Sequence, residues 1–266
     1  MSKSSIITIL TDFGQRDAYV AAMKGTILEL APNANIIDIA HDLTRYNIIQ
    51  AAFILLNASQ YFPINTIHLV VVDPGVGTER RRIIVQGNRS YYVGPDNGVL
   101  SLAIQEEGLK KIVLITERKY MRSHVTATFE GRDIFAPVAA HLAQGVPIEN
   151  FGQTIDHMIQ LRISQPLISN HHISGEIIHT DGFGNIITNI NYSQIQDLIT
   201  FGKKYQVTIN QITKTMKCMK SYGYVSPGEL IIIHGSSNYM EISVNQGNAQ
   251  KLFNAMTGDP IAITSQ

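Results

Sequence analysis

The chain has very little cysteine, which limits both its covalent framework and its metal chemistry. Cys218 is the single cysteine among 266 residues, so no intrachain disulfide can form. No group of cysteine and histidine residues has the spacing of a zinc site. The sequence therefore predicts a protein that folds without disulfide bonds and binds no metal.

An excess of charge of either sign is also absent, and so is any long apolar run. Lysine and arginine number 21, as do aspartate and glutamate, so electrostatics gives no reason to expect nucleic acid or an anionic membrane as a partner. No apolar run is long enough to cross a bilayer. The segment Met1 to Ile6 lacks the apolar region and cleavage site of a signal peptide. We expect a cytoplasmic protein with neither a nucleic-acid nor a membrane partner.

Two common nucleotide-binding motifs are missing as well. No G-x-G-x-x-G follows the first predicted strand, which disfavours a dinucleotide-binding Rossmann domain, and no P-loop sequence occurs. The composition, 44% hydrophobic and 16% charged, is typical of a folded globular protein. At this length the chain can form one large domain or two.

The first half of the chain alternates between strand and helix patterns. Apolar runs rich in β-branched residues predict strands at Ser5–Leu10, Asn35–Ala40 and Ile67–Val72. Between them, apolar residues recur at helical spacing. We therefore predict an α/β domain over residues 1–165, with a mostly parallel sheet and helices on both faces.

The second half has a different pattern, with short strand-like runs separated by Gly, Asn, Asp and Ser. The predicted strands are Ile173–His179, Ile186–Ile190, Lys204–Ile209, Glu229–His234 and Tyr239–Val244. This spacing is typical of a small antiparallel barrel or sandwich. The polar stretch from Leu161 to His172, which contains Pro166, is the predicted boundary. The prediction for residues 170–266 is a smaller antiparallel β-barrel domain.

The third strand ends on Asp73 and continues through DPGVGT, at 73–78, into a row of arginines from Arg80 to Arg82. In α/β folds, ligands bind at the carboxyl ends of central strands. Glycines in such a turn allow close approach of the backbone to a ligand. The alternative is an ordinary turn with a surface aspartate and solvated arginines. From these residues alone the two interpretations are equally supported.

Asp12 occupies the corresponding position after the first strand. A carboxylate there can accept hydrogen bonds from both hydroxyls of a ribose. It can also cap the amino terminus of the following helix, a common role for aspartate. Both interpretations stay open on the residues alone.

Three further segments contain candidate site residues. Residues 128–137 bring an aromatic, a carboxylate and an arginine just before a helix predicted over Asp133–Gln144, which Pro137 is placed to start. Glu130 is notable because Gly131 permits close approach. The loops at 179–185 and 235–245 present polar groups between strands. Each of these loops is equally consistent with an ordinary hairpin turn.

Taken in order, these segments resemble the S-adenosyl-L-methionine (SAM) hydrolase family, also called SAM hydroxide adenosyltransferases, which is related to fluorinase and chlorinase. The resemblance rests on TDFG at 11–14, MKG at 23–25, DPGVGT at 73–78, YVGPDNG at 92–98, GRD at 131–133, DGFGN at 181–185 and YMEI at 239–242. It implies an α/β domain followed by a β-barrel, and a homotrimer with active sites at subunit interfaces. It also implies cleavage of SAM by water to adenosine and L-methionine, with SAM as substrate and no cofactor.

The resemblance also assigns roles to individual residues. It implies that the catalytic group is Asp73, Arg80 and Glu130. The substrate-binding residues that it implies are Asp12, Tyr46, Phe129, Asp181, Phe183, Asn185, Ser236, Glu241 and Val244. Among these, Asp12 maps to the ribose, Asp181 and Ser236 to the methionine end, and Glu241 and Val244 to the adenine.

The sequence departs from the family pattern at two places. The family has a histidine where this chain has Glu130, so two carboxylates would repel each other beside the attacking water. The segment from Asp42 to Asn47 is shorter than in most relatives, and Tyr46 takes the place of an aromatic near the ribose. Two other functions therefore remain: a SAM- or adenosine-binding protein with little turnover, and a halide-using adenosyl transferase. The pair of carboxylates disfavours the latter.

Overall fold

The computed structural model describes residues 5–265. Residues 1–4, which form most of the amino-terminal segment discussed above, and Gln266 lie outside the described residues. The chain divides into two compact units, the first ending at Leu161 and the second beginning at Arg162. Within the described part, no helix is long and apolar enough to span a membrane.

The first unit contains a seven-stranded sheet and four helices. Its strands are β1 (Ile6–Thr11), β2 (Asn35–Ala40), β3 (Ile67–Val71), β4 (Arg82–Gly87), β5 (Tyr91–Pro95), β6 (Leu109–Leu114) and β7 (Thr154–Ile155). Its helices are α1 (Tyr19–Leu30), α2 (Ile48–Ser59), α3 (Ser101–Glu107) and α4 (Ala136–Ala143). The strand order is β2-β1-β3-β5-β4-β6-β7.

This sheet is mixed, so the prediction of a mostly parallel sheet was wrong. The pairs β1–β2, β1–β3 and β3–β5 are parallel, whereas β4–β5, β4–β6 and β6–β7 are antiparallel. The reason lies in the connections. A parallel neighbour requires a long crossover, usually a helix, but β4 and β5 are joined by the short turn 88–90, which forces an antiparallel hairpin.

Alternate residues of the central strands belong to two different hydrophobic clusters. One cluster joins Ile9 and Leu69 to buried residues of α1 and α4. The other joins Leu10 and Val70 to buried residues of α2 and α3. Because successive side chains of a strand point to opposite faces, the β-branched and leucine-rich runs of β1 and β3 are buried along their length.

The second unit is a barrel with a short additional strand. Its strands are β8 (Leu167–Ile168), β9 (His172–Thr180), β10 (Ile186–Asn191), β11 (Lys204–Ile209), β12 (Ile212–Met219), β13 (Leu230–His234), β14 (Tyr239–Val244) and β15 (Pro260–Ser265). Its two short helices are α5 (Tyr192–Ile195) and α6 (Ala249–Phe253). The order is β10-β14-β13-β12-β11-β15-β9-β8, and pairing of β9 with β10 closes seven of these strands into a ring.

The barrel is not purely antiparallel, which corrects the predicted architecture. β12 and β13 are parallel, with Cys218 opposite Ile232. The segment 220–229 between them contains a 3₁₀ turn at Tyr222–Tyr224 and is long enough to return the chain to the edge where β12 began. The other neighbouring strands of the ring pair antiparallel.

A buried histidine in the first sheet makes the stability of the fold sensitive to acid. His68 of β3 is fully buried, and its Nδ1 lies 2.8 Å from the Thr8 hydroxyl. Burial lowers its pKa from 6.5 to about 4, although the charge of Glu107 opposes the shift. The unfolded chain therefore takes up a proton at His68 before the folded chain does, so stability is lost as the pH falls below 6.5.

We expect His68 to contribute roughly 3 kcal/mol to the loss of unfolding free energy between about pH 7 and about pH 4. Urea denaturation of the wild type and of His68→Gln at both pH values measures this contribution. The variant should lose less stability on acidification, because Gln cannot be protonated in this range. An equal loss in both proteins would show that the carboxylates alone account for the acid sensitivity.

Candidate active site

A crevice in the first unit follows from the order of its strands. From β1 the chain crosses to β2 on one side and then returns to β3 on the other side of β1. β1 and β3 are parallel neighbours, with Thr11 opposite Val71. Asp12 and Asp73 follow these strands at the same edge of the sheet, where open α/β sheets bind their ligands.

Asp12 contacts a neighbouring loop and does not cap a helix. Helix α1 begins at Tyr19, and its N-cap residue is Ala18, so the capping alternative for Asp12 was wrong. Asp12 is buried, and its Oδ2 accepts a hydrogen bond of 2.7 Å from the backbone N–H of Tyr46. Within the described chain its Oδ1 accepts no hydrogen bond. One carboxylate oxygen thus positions the loop, and the other is available to a ligand.

Asp73 is buried and tightly paired, which contradicts the interpretation as a surface turn with solvated arginines. Arg80 Nε lies 2.9 Å from both carboxylate oxygens of Asp73, and Arg80 Nη2 also donates to Oδ2. The backbone N–H of Gly75 adds a hydrogen bond of 3.2 Å to Oδ1. The side chain of Arg80 is only 10% exposed. The turn after β3 therefore fixes one carboxylate in one orientation.

The glycine at position 77 allows this turn to approach the segment that carries Glu130. Gly77 has a φ of +78°, and a Cβ at this position would lie 2.5 Å from the carbonyl oxygen of Ala127. A side chain here would both strain the backbone and push the two segments apart. The DPGVGT sequence thus brings the two loops of the site together.

Glu130 lies against two arginines at the end of that second segment. Its Oε2 accepts hydrogen bonds from Arg80 Nη2 and, at 3.0 Å, from Arg82 Nε. Its Oε1 accepts one from Arg82 Nη2. Glu130 is 2% exposed. Asp73, Arg80, Glu130 and Arg82 therefore form a continuous chain of alternating charges, which we call the charge network.

The backbone after Glu130 has an unusual conformation. A π-helical turn spans Gly131–Phe135 and leads directly into α4, where the sequence predicted a single helix from Asp133. Such turns are rare and are frequent at functional sites. Pro137 lies in the first turn of α4, as predicted. Glu130 is the residue immediately before this π-helical turn.

The charge network changes the acidity of its central arginine. Burial by itself lowers the pKa of Arg80, but hydrogen bonds and charges from Asp73 and Glu130 outweigh burial, and the pKa is raised. The Arg80 guanidinium also lies 5.4 Å from the centre of the Phe135 ring. Arg80 is therefore a permanent cation between two carboxylates.

These elements surround a cavity of about 310 Å³. The residues that line it are Asp12, Phe13, Asp17, Tyr19, Arg45, Tyr46, Val71, Asp73, Val76, Thr128, Phe129, Glu130 and Gly131. Phe129 makes edge-to-face contacts with Phe13 and Tyr19, with ring centres 6.1 and 5.2 Å apart. Four carboxylates and one arginine are among the lining residues, and Arg80 and Arg82 compensate two of these carboxylates, so the wall keeps an excess of one negative charge. Such a cavity suits a ligand that is cationic and carries an aromatic or ribose group.

Of the residues predicted for the site, one set lies in the first unit. Asp12, Tyr46, Asp73, Phe129 and Glu130 line the cavity, and Arg80 joins the two carboxylates behind it. Tyr46 is 65% exposed and has a φ of +65°, which is uncommon for a bulky residue. Its backbone contact with Asp12 holds it in that conformation.

The other set lies in the second unit, where four polar side chains are linked by hydrogen bonds. Asp181 Oδ1 accepts from the backbone N–H groups of Phe183 and Asn185, and Asp181 Oδ2 accepts from Asn185 Nδ2. Asn185 Nδ2 also donates to the Tyr222 hydroxyl at 3.3 Å, and this hydroxyl donates to Glu241 Oε2 at 3.2 Å. Burial raises the pKa of Glu241, although the hydrogen bond from Tyr222 opposes the rise.

The three remaining predicted residues differ in exposure. Phe183 is 81% exposed, and Ser236 is exposed at the turn between β13 and β14. Val244 belongs to the hydrophobic core of the barrel. Its side chain therefore packs inside the unit, and its backbone carbonyl accepts a hydrogen bond of 3.1 Å from Gly247.

Sequence comparison decides the family. A family profile described as the SAM hydroxide adenosyltransferase N-terminal domain matches residues 7–152, and a profile of the C-terminal domain of that family matches residues 175–262. The chain belongs to the SAM hydroxide adenosyltransferase family. The first match contains the whole charge network, and the second contains Asp181, Tyr222 and Glu241.

Other members of this family match nearly the whole chain. A protein of Methanocaldococcus jannaschii named (R)-S-adenosyl-L-methionine hydrolase is 38% identical, over 97% of this chain and 95% of the relative. A fluorinase of Nocardia brasiliensis is 25% identical, over 97% and 96% of the two chains. A crystal structure of an uncharacterized conserved protein from Thermotoga maritima superposes with a TM-score of 0.93 at 38% identity, over 97% and 99% of the chains.

Two polar residues of this family member were missed by sequence reasoning. Arg82 had a detectable signal, because it lies two positions after Arg80 and extended chain places such residues on one side. Tyr222, which bridges Asn185 and Glu241, lies in a polar loop with no pattern that singles it out. Among the described residues no group of three or more His, Cys, Asp or Glu side chains could hold a metal ion.

Proposed function

We propose that the protein hydrolyses SAM to adenosine and L-methionine. The observation that carries this proposal is the Asp73 carboxylate, fixed by Arg80 in the wall of an acidic cavity at the point where the strand order reverses. SAM is a cation at sulfur, and the cavity wall keeps a small negative excess after Arg80 and Arg82 are counted, which suits a cation. The relatives named as SAM hydrolases support the same reaction.

In the proposed reaction, water attacks C5′ of the ribose in line with the sulfur. The new O–C5′ bond forms while the C5′–S bond breaks, and the sulfur leaves with the electron pair as the neutral thioether of methionine. Asp73 accepts the proton that the water loses and later releases it to solvent. The leaving group needs no acid, so catalysis depends on the orientation and desolvation of the water.

The remaining residues would fix the two ends of SAM. Asp12 would accept hydrogen bonds from the ribose through Oδ1, Phe129 would line the C5′ region, and Tyr46 would lie near the ribose. In the second unit, Asp181 and Ser236 would contact the methionine end, Phe183 and Asn185 the adenosine, and Glu241 and the backbone of Val244 the adenine. No cofactor is needed in this scheme.

We also propose that the protein forms the homotrimer that the family resemblance implies, in which each active site is shared between subunits. Light scattering after gel filtration measures the oligomeric state. A mixing experiment tests the sharing. Asp73→Asn and Asp181→Asn subunits, each inactive alone, should recover part of the activity after they are unfolded and refolded together. Recovery requires that the two residues of one site come from different chains, so an inactive mixture would contradict it.

We also propose a preferred configuration at the sulfur of the substrate. Relatives are named for the (R) form, and we extend that preference to this chain. The two sulfonium epimers can be separated and supplied one at a time. Faster release of adenosine from the (R) epimer would support the assignment, and equal rates would contradict it.

The two alternative functions predict different outcomes for SAM in the same assay. A halide-using transferase would form a 5′-haloadenosine, but the carboxylates around the cavity disfavour an anionic nucleophile. A binding protein would leave SAM unchanged and melt at a higher temperature in its presence.

The assay is incubation with SAM in ¹⁸O-labelled water containing chloride or fluoride, followed by liquid chromatography and mass spectrometry. Hydrolysis at C5′ predicts label in the 5′-hydroxyl of adenosine and none in methionine. A haloadenosine, or unchanged SAM with a raised melting temperature, would replace the proposal with one of the alternatives. Label in another position would contradict attack at C5′.

A further inference from the structure

Glu130 combines deep burial with a position on the cavity wall. It is 2% exposed, yet it is among the residues that line the cavity. A buried carboxylate is expensive unless its charge is compensated and its oxygens are hydrogen-bonded. Both conditions are met here mainly by one residue, Arg82, which donates to Oε1 through Nη2 and to Oε2 through Nε.

The charge balance shows why Arg80 alone is insufficient. Asp73, Glu130 and Arg80 together have a net charge of −1, and Arg80 already uses Nε and Nη2 on Asp73. Arg82 brings the buried group to neutrality. It also replaces a single shared hydrogen bond with a two-point contact, which fixes the plane of the carboxylate.

Arg82 is well placed for this role because its backbone is rigid. It is the first residue of β4, it lies opposite Pro95 of β5, and its carbonyl accepts a hydrogen bond of 2.9 Å from Ile115. Arg81, the preceding residue, pairs instead with Asp96. The start of the strand therefore directs Arg82 to Glu130 and the adjacent arginine to Asp96.

We propose that Arg82 is a positioning residue that holds Glu130 oriented toward the attacking water. This inference rests on the proposed hydrolase function. The geometry leaves Glu130 Oε1 with a single hydrogen bond from the described residues, so a lone pair remains for water. Asp73 and Glu130 can then contact the same water from two sides without mutual displacement.

The test is a double-mutant cycle measured by adenosine release. Arg82→Gln should lower kcat by about tenfold or more, whereas KM should change by no more than a factor of about three. Arg82→Lys should recover part of the loss, because it restores the charge without the two-point contact. In a Glu130→Gln background, Arg82→Gln should have little further effect.

Arg81→Gln is the matched control, because Arg81 and Arg82 are adjacent and their side chains are 32% and 27% exposed. It should reduce stability but leave kcat unchanged. An unchanged kcat in Arg82→Gln, or an equal fall in kcat with and without Glu130→Gln, would overturn the proposal.

The same four proteins give a readout that does not depend on catalysis. In thermal melting, Arg82→Gln should lower Tm in the wild-type background and much less in the Glu130→Gln background. If the wild type released no adenosine, the hydrolase proposal would fail, and coupled melting shifts would still support the Arg82–Glu130 contact. Additive melting shifts would overturn that contact as well.

Discussion

Asp73→Asn is expected to lower kcat for adenosine formation by roughly 100-fold to 10,000-fold. The substitution keeps the size and one acceptor oxygen of the side chain but removes its capacity to take a proton from water. It also removes the negative charge that stabilises the developing positive charge on the attacking water. Binding of SAM should be affected much less, because Asp12 and the aromatic residues of the cavity are unchanged.

Asp96→Asn provides the matched control for this prediction. Asp96 is also buried, 2% exposed, and it pairs with Arg81 as Asp73 pairs with Arg80. Its Oδ1 accepts a hydrogen bond from the backbone of Ile159, and it does not line the cavity. We expect Asp96→Asn to lower the free energy of unfolding about as much as Asp73→Asn does, but to leave kcat unchanged. Single-turnover rates and SAM affinity, measured for both variants, separate catalysis from folding.

Two results would contradict the role of Asp73. A fall in kcat of less than about tenfold would show that orientation of the water, without proton transfer, is sufficient. A fall of similar size in Asp96→Asn would show that any uncompensated arginine in this unit disrupts the site.

The position of the cavity could be predicted from the sequence because it depends on local signals. Apolar β-branched runs that end on Asp12 and Asp73 identify two strands and their carboxyl ends. If the strands are parallel neighbours, the two carboxylates meet at one edge. The helix-capping alternative for Asp12 could be excluded only with the structure, because it shows that α1 begins at Tyr19.

The charge network could be predicted only in part, because its contacts are long-range. Arg82 and Glu130 are separated by 48 positions, and their contact depends on both the start of β4 and the π-helical turn after Glu130. A π-helical turn has no reliable signature in a single sequence. The repulsion predicted between Asp73 and Glu130 therefore took no account of Arg82, whose positive charge helps to compensate the two carboxylates.

The barrel was predicted with the wrong pairing for a similar reason. The β11–β12 hairpin turns at Asn210 and Gln211, both with positive φ, but Asn-Gln lacks the glycine that usually marks such a turn. Strand β12 was therefore overlooked. Without it, the parallel pair that β12 forms with β13 could not be anticipated, nor could the place of Tyr222 in the connection between them.

Arg80→Gln should be the most destabilising substitution in the charge network. It leaves Asp73 without its principal partner and Glu130 with Arg82 alone, so buried negative charge is uncompensated. Breaking a buried ion pair on one side costs about 3–5 kcal/mol of unfolding free energy. Activity should also be lost, because both carboxylates would move apart to reach solvent.

A second substitution distinguishes this electrostatic explanation from a loss of packing. Arg80→Gln combined with Asp73→Asn removes a positive and a negative charge, so the double variant should be more stable than Arg80→Gln alone. If the double variant were less stable than Arg80→Gln, the guanidinium would stabilise the fold mainly through its contact with Phe135. Urea denaturation of both variants and of Arg81→Gln measures this order. Since the pKa of Arg80 is raised by its two carboxylate partners, the guanidinium of the wild type stays charged throughout, and the loss of stability caused by Arg80→Gln should not depend on pH between about pH 6 and about pH 9.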